Sequence, residues 1–557
     1  MTESLAELQV LVVDCQTTGA TPALGSVLEL GWGIACAADP TRDHAEAHWI
    51  VLPEGERVSA TVRQLTGFRE ELLAEALTPE QAFERLHAQI ATPSMPTAIH
   101  FARFELSFLR DWWQRFDASA PFPIDAVCVH AIACRLYPDL ARRNLRALAG
   151  FLGHGLHLER RALGHVQATA FIWRKLSQEL DARGVRSWSE LTEWLATAEK
   201  PAAARKRSYP MPKARYLSLP DAPGIYRMLR SNGDVLYVGK ATSLKKRVAS
   251  HFTKQRGATE RALEMLTQVH QVEFTATATA LEAALLETEL IKELAPPYNV
   301  QLVQGERDAW FAAHDFSDYA RTPDEWHQLG PLPSRFSVRC LRAVTELHEG
   351  ASVTPLLRAG AVGAPLAFAP DDASFSAGWA LFCERHSHRT SGSARLCTLR
   401  AARTLRLSMA DAEADDPSEP APETSERSWD PERVCRHLER SLAGAYQALR
   451  RAGFLCLLAN STVYFREPKL ETGRSLRFEA ARLVASREVA SSVQLDSPAR
   501  ASRLAARQAF DAARYDQLRI LATELKRIQR DGGEVAVRVS KTRVLDGTRL
   551  RNILRVV

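Results

Sequence analysis

Two short apolar and aromatic runs, Gly224-Ile-Tyr-Arg-Met-Leu and Val235-Leu-Tyr-Val-Gly, flank the segment Ser231-Asn232-Gly233-Asp234. An Asn-Gly pair between such runs is a strong β-hairpin signal. Side chains alternate along paired strands, so Tyr226 and Tyr237 can share one face. After Lys240, Thr242 or Ser243 can cap a helix carrying Lys245, Lys246, Arg247 and His251, with Ser243, Arg247, Ser250 and His251 along one side. A basic helix beside a tyrosine-lined sheet suits a phosphodiester. Farther on, the helical neighbours of Glu287 are Ala283, Ala284, Leu290 and Ile291, so its carboxylate stands in an apolar stripe. Alone, such a glutamate reads as a core-rim residue reaching for water or as the partner of a lysine. Beside the tyrosines and Arg247 it becomes a candidate to hold one hard divalent cation, with water filling the other positions.

The order and spacing of Gly224-Ile225-Tyr226, Tyr237-Val238-Gly239-Lys240, Arg247, Glu287 and Pro297-Tyr298-Asn299 resemble the GIY-YIG nucleases, in particular the bacterial repair nucleases of the UvrC and Cho type. The resemblance covers residues 221–300 and implies single-metal hydrolysis of a DNA phosphodiester, with Mg2+ or Mn2+. It makes Tyr237 the general base, with Lys240 lowering its pKa, since a tyrosine near its ordinary value of about 10 is a poor base at neutral pH. Tyr226 supports that role, Arg247 steadies charge on the phosphoryl oxygens, and Glu287 holds the metal that stabilises the leaving oxygen. Asn299 ties a C-terminal strand to the site. Lys245, Lys246, His251 and Lys254 read as contacts to nucleic acid. His251 stands where the UvrC group has a further tyrosine, which leaves a second proton carrier and a plain helix residue as open readings.

Upstream, Val10-Leu-Val-Val-Asp14 is an apolar run that delivers an acid at its end, and Val27 to Ala35 reads as the next strand. His100-Phe-Ala-Arg-Phe104-Glu105, Asn144-Leu-Arg-Ala-Leu-Ala-Gly and Arg160-Arg161-Ala-Leu-Gly-His165 follow. This order resembles the DEDDh exonucleases and implies a ribonuclease H-like α/β fold for residues 1–180. That chemistry uses four carboxylates to hold two metal ions and a histidine to activate water. Here the five positions read Asp14, Gln16, Glu105, Arg160 and His165. Two acids are too little charge for two hard cations, and Arg160 adds a positive one. The expectation is a degenerate site whose groove holds a DNA strand through Arg103, Arg160 and Arg161, or a scaffold for the nuclease module.

At 557 residues the chain is too long for one core, so a multidomain α/β protein is expected. Residues 181–215 read as a helix and a basic linker that tethers the first domain; 216–303 as a small α+β GIY-YIG domain; 304–408 as a UvrC-like middle region, from Gly330-Pro-Leu-Pro-Ser334 and a helix to Leu347. Residues 409–429 form an acidic linker rich in Pro and Ser. Residues 430–557 read as a mixed α/β region: a helix opening at Asp430-Pro431-Glu432, strands at Gly453–Ala459, Ser461–Phe465 and Val535–Val539, and a long helix from Ala501 to Arg530. UvrC-like chains carry a four-cysteine iron-sulfur cluster; Cys340, Cys383 and Cys397 are too few and wrongly spaced, so no cluster is expected. The nine cysteines read as buried free thiols, and Glu384-Arg-His386-Ser-His388 as a polar loop rather than a zinc site. The net charge of +6 is compatible with nucleic acid without demanding it. No apolar run approaches the ~18 residues of a membrane span, and the N-terminus lacks a signal-peptide profile, so a cytoplasmic protein without membrane partners is expected. The first reading is a metal-dependent endonuclease incising damaged or distorted DNA, as in nucleotide excision repair, with DNA and a damage-recognition or loading protein as partners. A dual nuclease with 3'-5' exonuclease activity and a non-catalytic DNA-binding or recruitment protein are the alternatives.

Overall fold

The apolar run at Val10 becomes β1 (Gln9–Thr17), the middle strand of a five-stranded sheet in the computed structural model. The structure describes residues 3–90, 94–155, 161–197, 208–253, 258–302, 309–351, 372–386, 393–415, 430–468, 470–498 and 502–556. Antiparallel to β1 runs β2 (Val27–Cys36), which pairs in turn with β3 (His44–Trp49); on the other side β4 (Met95–Ile99) and β5 (Ile124–Cys128) run parallel to it. β1 is covered on both faces, which is why it reads as continuous apolar sequence rather than as an alternation. Val10 and Val12 pack with Val166, Ile172 and Trp173 of the helix Ala162–Asp181. Leu11 and Val13 pack with Phe108, Leu109 and Trp112 of the helix Ala102–Phe116.

The hairpin forms as expected: β6 (Gly224–Leu229) and β7 (Val235–Ala241) pair antiparallel around Gly233 at φ +91°, and β8 (Gln271–Ala276) lies on the other edge of β6. Ser243 opens the next helix, Leu244–Thr253, by accepting the Lys246 N–H at 3.3 Å.

The chain divides into two compact units, Met1–Ala283 with Pro296–Asn299, and Ala284–Ala295 with Val300–Val557. Within the first, the expected loose tether is replaced by a built interface. Asn144 Nδ2 donates to Glu264 Oε2 at 2.7 Å, Arg142 pairs with Glu260, and the buried Arg230 donates to Gln268 Oε1 at 2.6 Å and to the His154 carbonyl at 2.9 Å. The helix Leu145–Phe151 comes so close that a Cβ on Gly150 would meet Gln268 Oε1 at 1.9 Å. Part of the expected linker is also packed: Met211 is buried and the Tyr209 ring lies 5.5 Å from that of Phe252. Residues 198–207 lie outside the described residues. Scattered polar partners leave no periodic trace, so this interface is invisible in the sequence.

In the second unit, β9 (Trp310–Ala313), β10 (Tyr319–Ala320) and β11 (His327–Leu332) form a small sheet ordered β10-β9-β11. The helices Phe336–His348, Asp372–His386, Ala394–Asp415 and Pro431–Leu458 follow. Val338, Leu341, Phe382 and Ala402 share one core with Val434, Leu438 and Leu442, so sequence from both sides of the expected acidic linker builds a single interior. A second, antiparallel sheet comprises β12 (Ser461–Arg466), β13 (Gly473–Glu479), β14 (Arg482–Val489), β15 (Glu534–Arg538) and β16 (Val544–Leu545), in the order β14-β13-β12-β15-β16.

Four expectations change here. Gly453–Leu458 is the end of a long helix rather than a strand; Phe454, Leu455 and Leu458 are buried on it, and a short apolar run does not distinguish the two states. The acidic stretch is helical through Asp415, because Met409-Ala-Asp-Ala-Glu-Ala is rich in good helix formers, and 416–429 lie outside the described residues. The helix expected over Ala501–Arg530 is two, Arg503–Gln508 and Ala512–Arg530, because the Asp511 carboxylate accepts the Arg514 N–H at 2.8 Å and starts a new one. Glu384–His386 closes a helix, with His386 Nε2 2.7 Å from Glu439, while His388 lies outside the described residues. Among the described residues no helix is long and apolar enough to cross a membrane.

Lys292, on the helix Ala280–Leu294, places Nζ 2.9 Å from Asp516 Oδ2, with the side chains 10% and 1% exposed. Asp516→Ala takes this carboxylate away from Lys292 and from Arg519, 3.7 Å away, and is expected to cost about 3 kcal/mol, whereas pairing Lys292→Met with Asp516→Leu recovers part of that loss. Urea unfolding followed by circular dichroism measures both.

Candidate active site

Register decides the geometry of the hairpin face: Tyr226 stands opposite Gly239 and Met228 opposite Tyr237. The two phenols are therefore diagonal neighbours on one face, with ring centroids 6.0 Å apart. A Cβ at position 239 would lie 2.6 Å from Tyr226 Cζ and Oη, so only glycine lets the Tyr226 ring cross β7. Tyr226 is fully buried and Tyr237 half-buried.

The helix Leu244–Thr253 turns Arg247 and His251, one turn apart, toward these rings. His251 Nε2 is 2.8 Å from Tyr226 Oη, and its ring lies 6.1 Å from that of Tyr237. Burial, reinforced by the charge of Arg247, pushes the His251 pKa down to about 4, so its imidazole is neutral at pH 7. His251 is thus an uncharged partner of Tyr226. Arg247 is held above its ordinary pKa first by the charge of Tyr226, then by hydrogen bonding to it and by Tyr237. Arg247 thus meets both phenols, and Lys240 is exposed near the end of β7.

Lys245 and Lys246 are exposed on the same helix, with Lys246 Nζ 3.5 Å from Asp221; Lys254 lies outside the described residues. Asn299 accepts the Val238 N–H at 3.0 Å and donates to the Val238 carbonyl at 2.9 Å, clamping β7 from an irregular segment rather than from the expected strand. Next to it, Tyr298 donates to Glu264 at 2.6 Å and accepts from Gln268 at 2.6 Å. Glu287 is half-buried on the helix Ala280–Leu294, where Ala283, Ala284 and Ile291 are buried.

The acids of the first domain are engaged elsewhere. Asp14 Oδ2 is 3.1 Å from His165 Nδ1; burial alone would lower the His165 pKa, but the hydrogen bond and charge of Asp14 outweigh it and raise it. Glu105 is buried, accepts the Cys15 N–H at 2.7 Å, and is pushed well above the carboxylate range by burial and by the charge of Asp14. Gln16 is buried opposite Glu29 in the β1–β2 register. Glu29 is an acid that motif reading overlooks, although a charge inside an apolar strand is a visible signal. Its carboxylate accepts from Arg161 Nε at 2.5 Å and from the Ala162 N–H at 3.0 Å. Arg161, which also lies over the Trp49 ring, is therefore committed to Glu29 rather than to a phosphate. Arg103 is exposed, and Arg160 lies outside the described residues. Asp14, Glu105 and His165 open onto a cavity of about 270 Å³ shared with His100, Phe101 and Arg146. Among the described residues no group of three or more His, Cys, Asp or Glu side chains could hold a metal ion.

Residues 222–300 match the family model described as the UvrC-like GIY-YIG domain. This stretch is a UvrC-like GIY-YIG domain. The UvrABC system protein C of Alkalilimnicola ehrlichii is 45% identical over 137 residues, covering 23% of this chain and 22% of the relative. A Mycobacterium tuberculosis protein named as a bifunctional exonuclease/endonuclease is 27% identical over 347 residues, covering 60% of this chain and 51% of that protein. The chain thus spans between about a fifth and a half of the length of these relatives. The solved GIY-YIG N-terminal endonuclease domain of UvrC from Thermotoga maritima, bound to its catalytic magnesium, is 32% identical, with 16% of this chain and 94% of that chain covered and a TM-score of 0.15. Ahead of the GIY-YIG domain lies the sheet ordered β3-β2-β1-β4-β5, antiparallel from β3 to β1 and parallel from β1 to β5.

Because the folded-state pKa of His251 lies near 4, below the 6.5 of the free side chain, the unfolded chain takes up the proton first as pH falls. The resulting stability is complete above about pH 6.5 and is lost toward pH 4, to a total of about 3 kcal/mol. Thermal melts between pH 7.5 and 4.5 should show this decline in wild type and a flatter profile in His251→Gln.

Proposed function

We propose that the chain is a metal-dependent DNA endonuclease that nicks one strand of damaged or distorted DNA. The observation that carries this reading is the cluster of Tyr226, Tyr237, Arg247 and neutral His251 on one face of a GIY-YIG domain. Tyr237, the more accessible phenol, is the general base for the attacking water. The positive charge of Arg247 favours its ionised form and then faces the charge that builds on the phosphoryl oxygens. Tyr226 orients this pair, and the neutral His251 ring beside its hydroxyl can take or return a proton. Lys240, Lys245 and Lys246 bind flanking phosphates, and Asn299 keeps β7 in place.

The half-buried Glu287 carboxylate, set among buried alanines and Ile291, fits a single hard cation otherwise ligated by water. Magnesium or manganese bound there would supply positive charge for the leaving oxygen. The first domain offers no comparable fit: Asp14 and Glu105 are held by His165 and the Cys15 N–H, so we assign it to holding DNA rather than to two-metal cleavage. The relatives named for a UvrABC system make a damage-recognition or loading protein the natural partner. The dual-nuclease reading is favoured by one observation, the name of the Mycobacterium tuberculosis relative.

Purified protein on end-labelled duplex with a bulky lesion, supplied with magnesium, should yield internal nicks. Glu287→Ala and Tyr237→Phe should each lower the nicking rate at least about a hundredfold, and Asp14→Ala should leave it within about twofold. A ladder of single-nucleotide products abolished by Asp14→Ala would establish the dual nuclease instead.

A further inference from the structure

A cavity of about 1010 Å³ in the second unit is remote in sequence from every residue discussed above as catalytic. Three separate elements give it positive charge: Arg450 from the helix Pro431–Leu458, Arg507 from the helix Arg503–Gln508, and Lys541 with Arg543 from the turn between β15 and β16. No aspartate or glutamate is among its described lining residues. Other arginines of this unit sit against acids, as in Arg466 with Glu534, Arg477 with Glu479 and Arg487 with Asp496. Among the described residues, no carboxylate lies within ion-pair distance of Arg450, Lys541 or Arg543. Arg450, Lys541 and Arg543 repel one another where no described carboxylate offsets them, and a bound polyanion relieves that repulsion.

The turn that carries two of these charges is preorganised. Ser540 Oγ accepts the Arg543 N–H at 3.1 Å, the Val539 N–H donates to the Arg543 carbonyl at 3.0 Å, and Arg538 reaches the Lys541 carbonyl at 3.3 Å. Lys541 and Arg543 are exposed at its tip. Ser502, Thr542 and Asn460 add neutral hydrogen-bonding groups of the kind that contact phosphate oxygens. Phe454, Leu457 and Ile553 supply an apolar wall. Cations beside an apolar wall are the composition of a site for one nucleic-acid strand, phosphates on the charged side and bases on the other. A volume of this size admits a few nucleotides of a single strand, whereas the major groove of a duplex alone is about 12 Å across.

We propose that this cavity is a single-stranded nucleic-acid site, gripping the phosphodiester backbone through Arg450, Arg507, Lys541 and Arg543. It does not rest on the nuclease reading, because binding here requires neither a metal nor cleavage. The test is fluorescence anisotropy of the full chain with a labelled oligothymidylate in EDTA, across a salt series. Lys541→Ala/Arg543→Ala should weaken binding about tenfold. It should also make the slope of log K against log salt shallower by roughly 1.4, at about 0.7 for each phosphate no longer neutralised. Arg450→Ala, on the opposite wall, should weaken binding in the same direction. Unchanged far-UV circular dichroism and melting would show that these exposed substitutions leave the fold intact. Equal affinity and slope in the double variant would overturn the proposal, as would weaker binding by the turn variant with none at Arg450, which would place the strand on the outer surface. Displacement of the oligonucleotide by a mononucleotide or pyrophosphate at equal phosphate concentration would assign the cavity to a free nucleotide and likewise overturn it.

Discussion

The contact between the Tyr226 ring and the bare Cα of Gly239 is the constraint on which the tyrosine face of the hairpin depends. Any side chain at 239 would displace that ring, and with it the hydroxyl that His251 meets. Register does the rest, since a slip of one residue between β6 and β7 would send Tyr237 to the opposite face. Two features resist such a slip. The turn at Gly233 closes the hairpin at one end, and Asn299 binds both backbone groups of Val238 within the strand itself. Tyr298 and Asn299 are thus structural as well as diagnostic, since they anchor the end of the module to the strand that bears Tyr237.

The two candidate centres differ in what their polar groups do when nothing is bound. In the GIY-YIG domain the phenols face a permanent cation, and the imidazole is kept uncharged by burial, so the cluster gathers groups that can exchange a proton. In the exonuclease-like domain each acid already has an internal partner: Asp14 has His165, Glu105 has the Cys15 N–H, and Glu29 has Arg161 and the Ala162 N–H. A metal entering that site would have to displace hydrogen bonds that now satisfy buried groups, and breaking buried charge pairs is costly. An imidazole at position 165 makes Asp14 half of an internal pair.

Much of this was legible in the sequence wherever a short-range rule applied. Asn232-Gly233 gave the hairpin, Ser243 the next helix, alternation the shared face of the tyrosines, and the apolar run at Val10 a strand buried on both sides. What was hidden depends on pairing across long separations. Glu29 meets Arg161 from 132 residues away, Asn144 meets Glu264 from 120, and Lys292 meets Asp516, and no periodicity announces any of them. The Gly453–Leu458 segment failed for a different reason: six apolar or small residues fit a buried strand and a buried helix equally well, and the helix begun at Asp430 simply continues through them.

The interface inside the first unit changes what an exonuclease-like domain with engaged acids can contribute. A flexible tether would only raise the local concentration of DNA near the second site, to a degree set by linker length. The junction seen here fixes orientation as well, because Arg230 is buried between Gln268 and the His154 carbonyl, and Gly150 leaves no room for a side chain against Gln268. Gln268 in turn bonds to Tyr298, whose backbone N–H donates to Leu236 of β7. A continuous set of hydrogen bonds therefore runs from the exonuclease-like domain to the strand carrying Tyr237. Anything held on the first domain would therefore stand at a fixed offset from the tyrosine face.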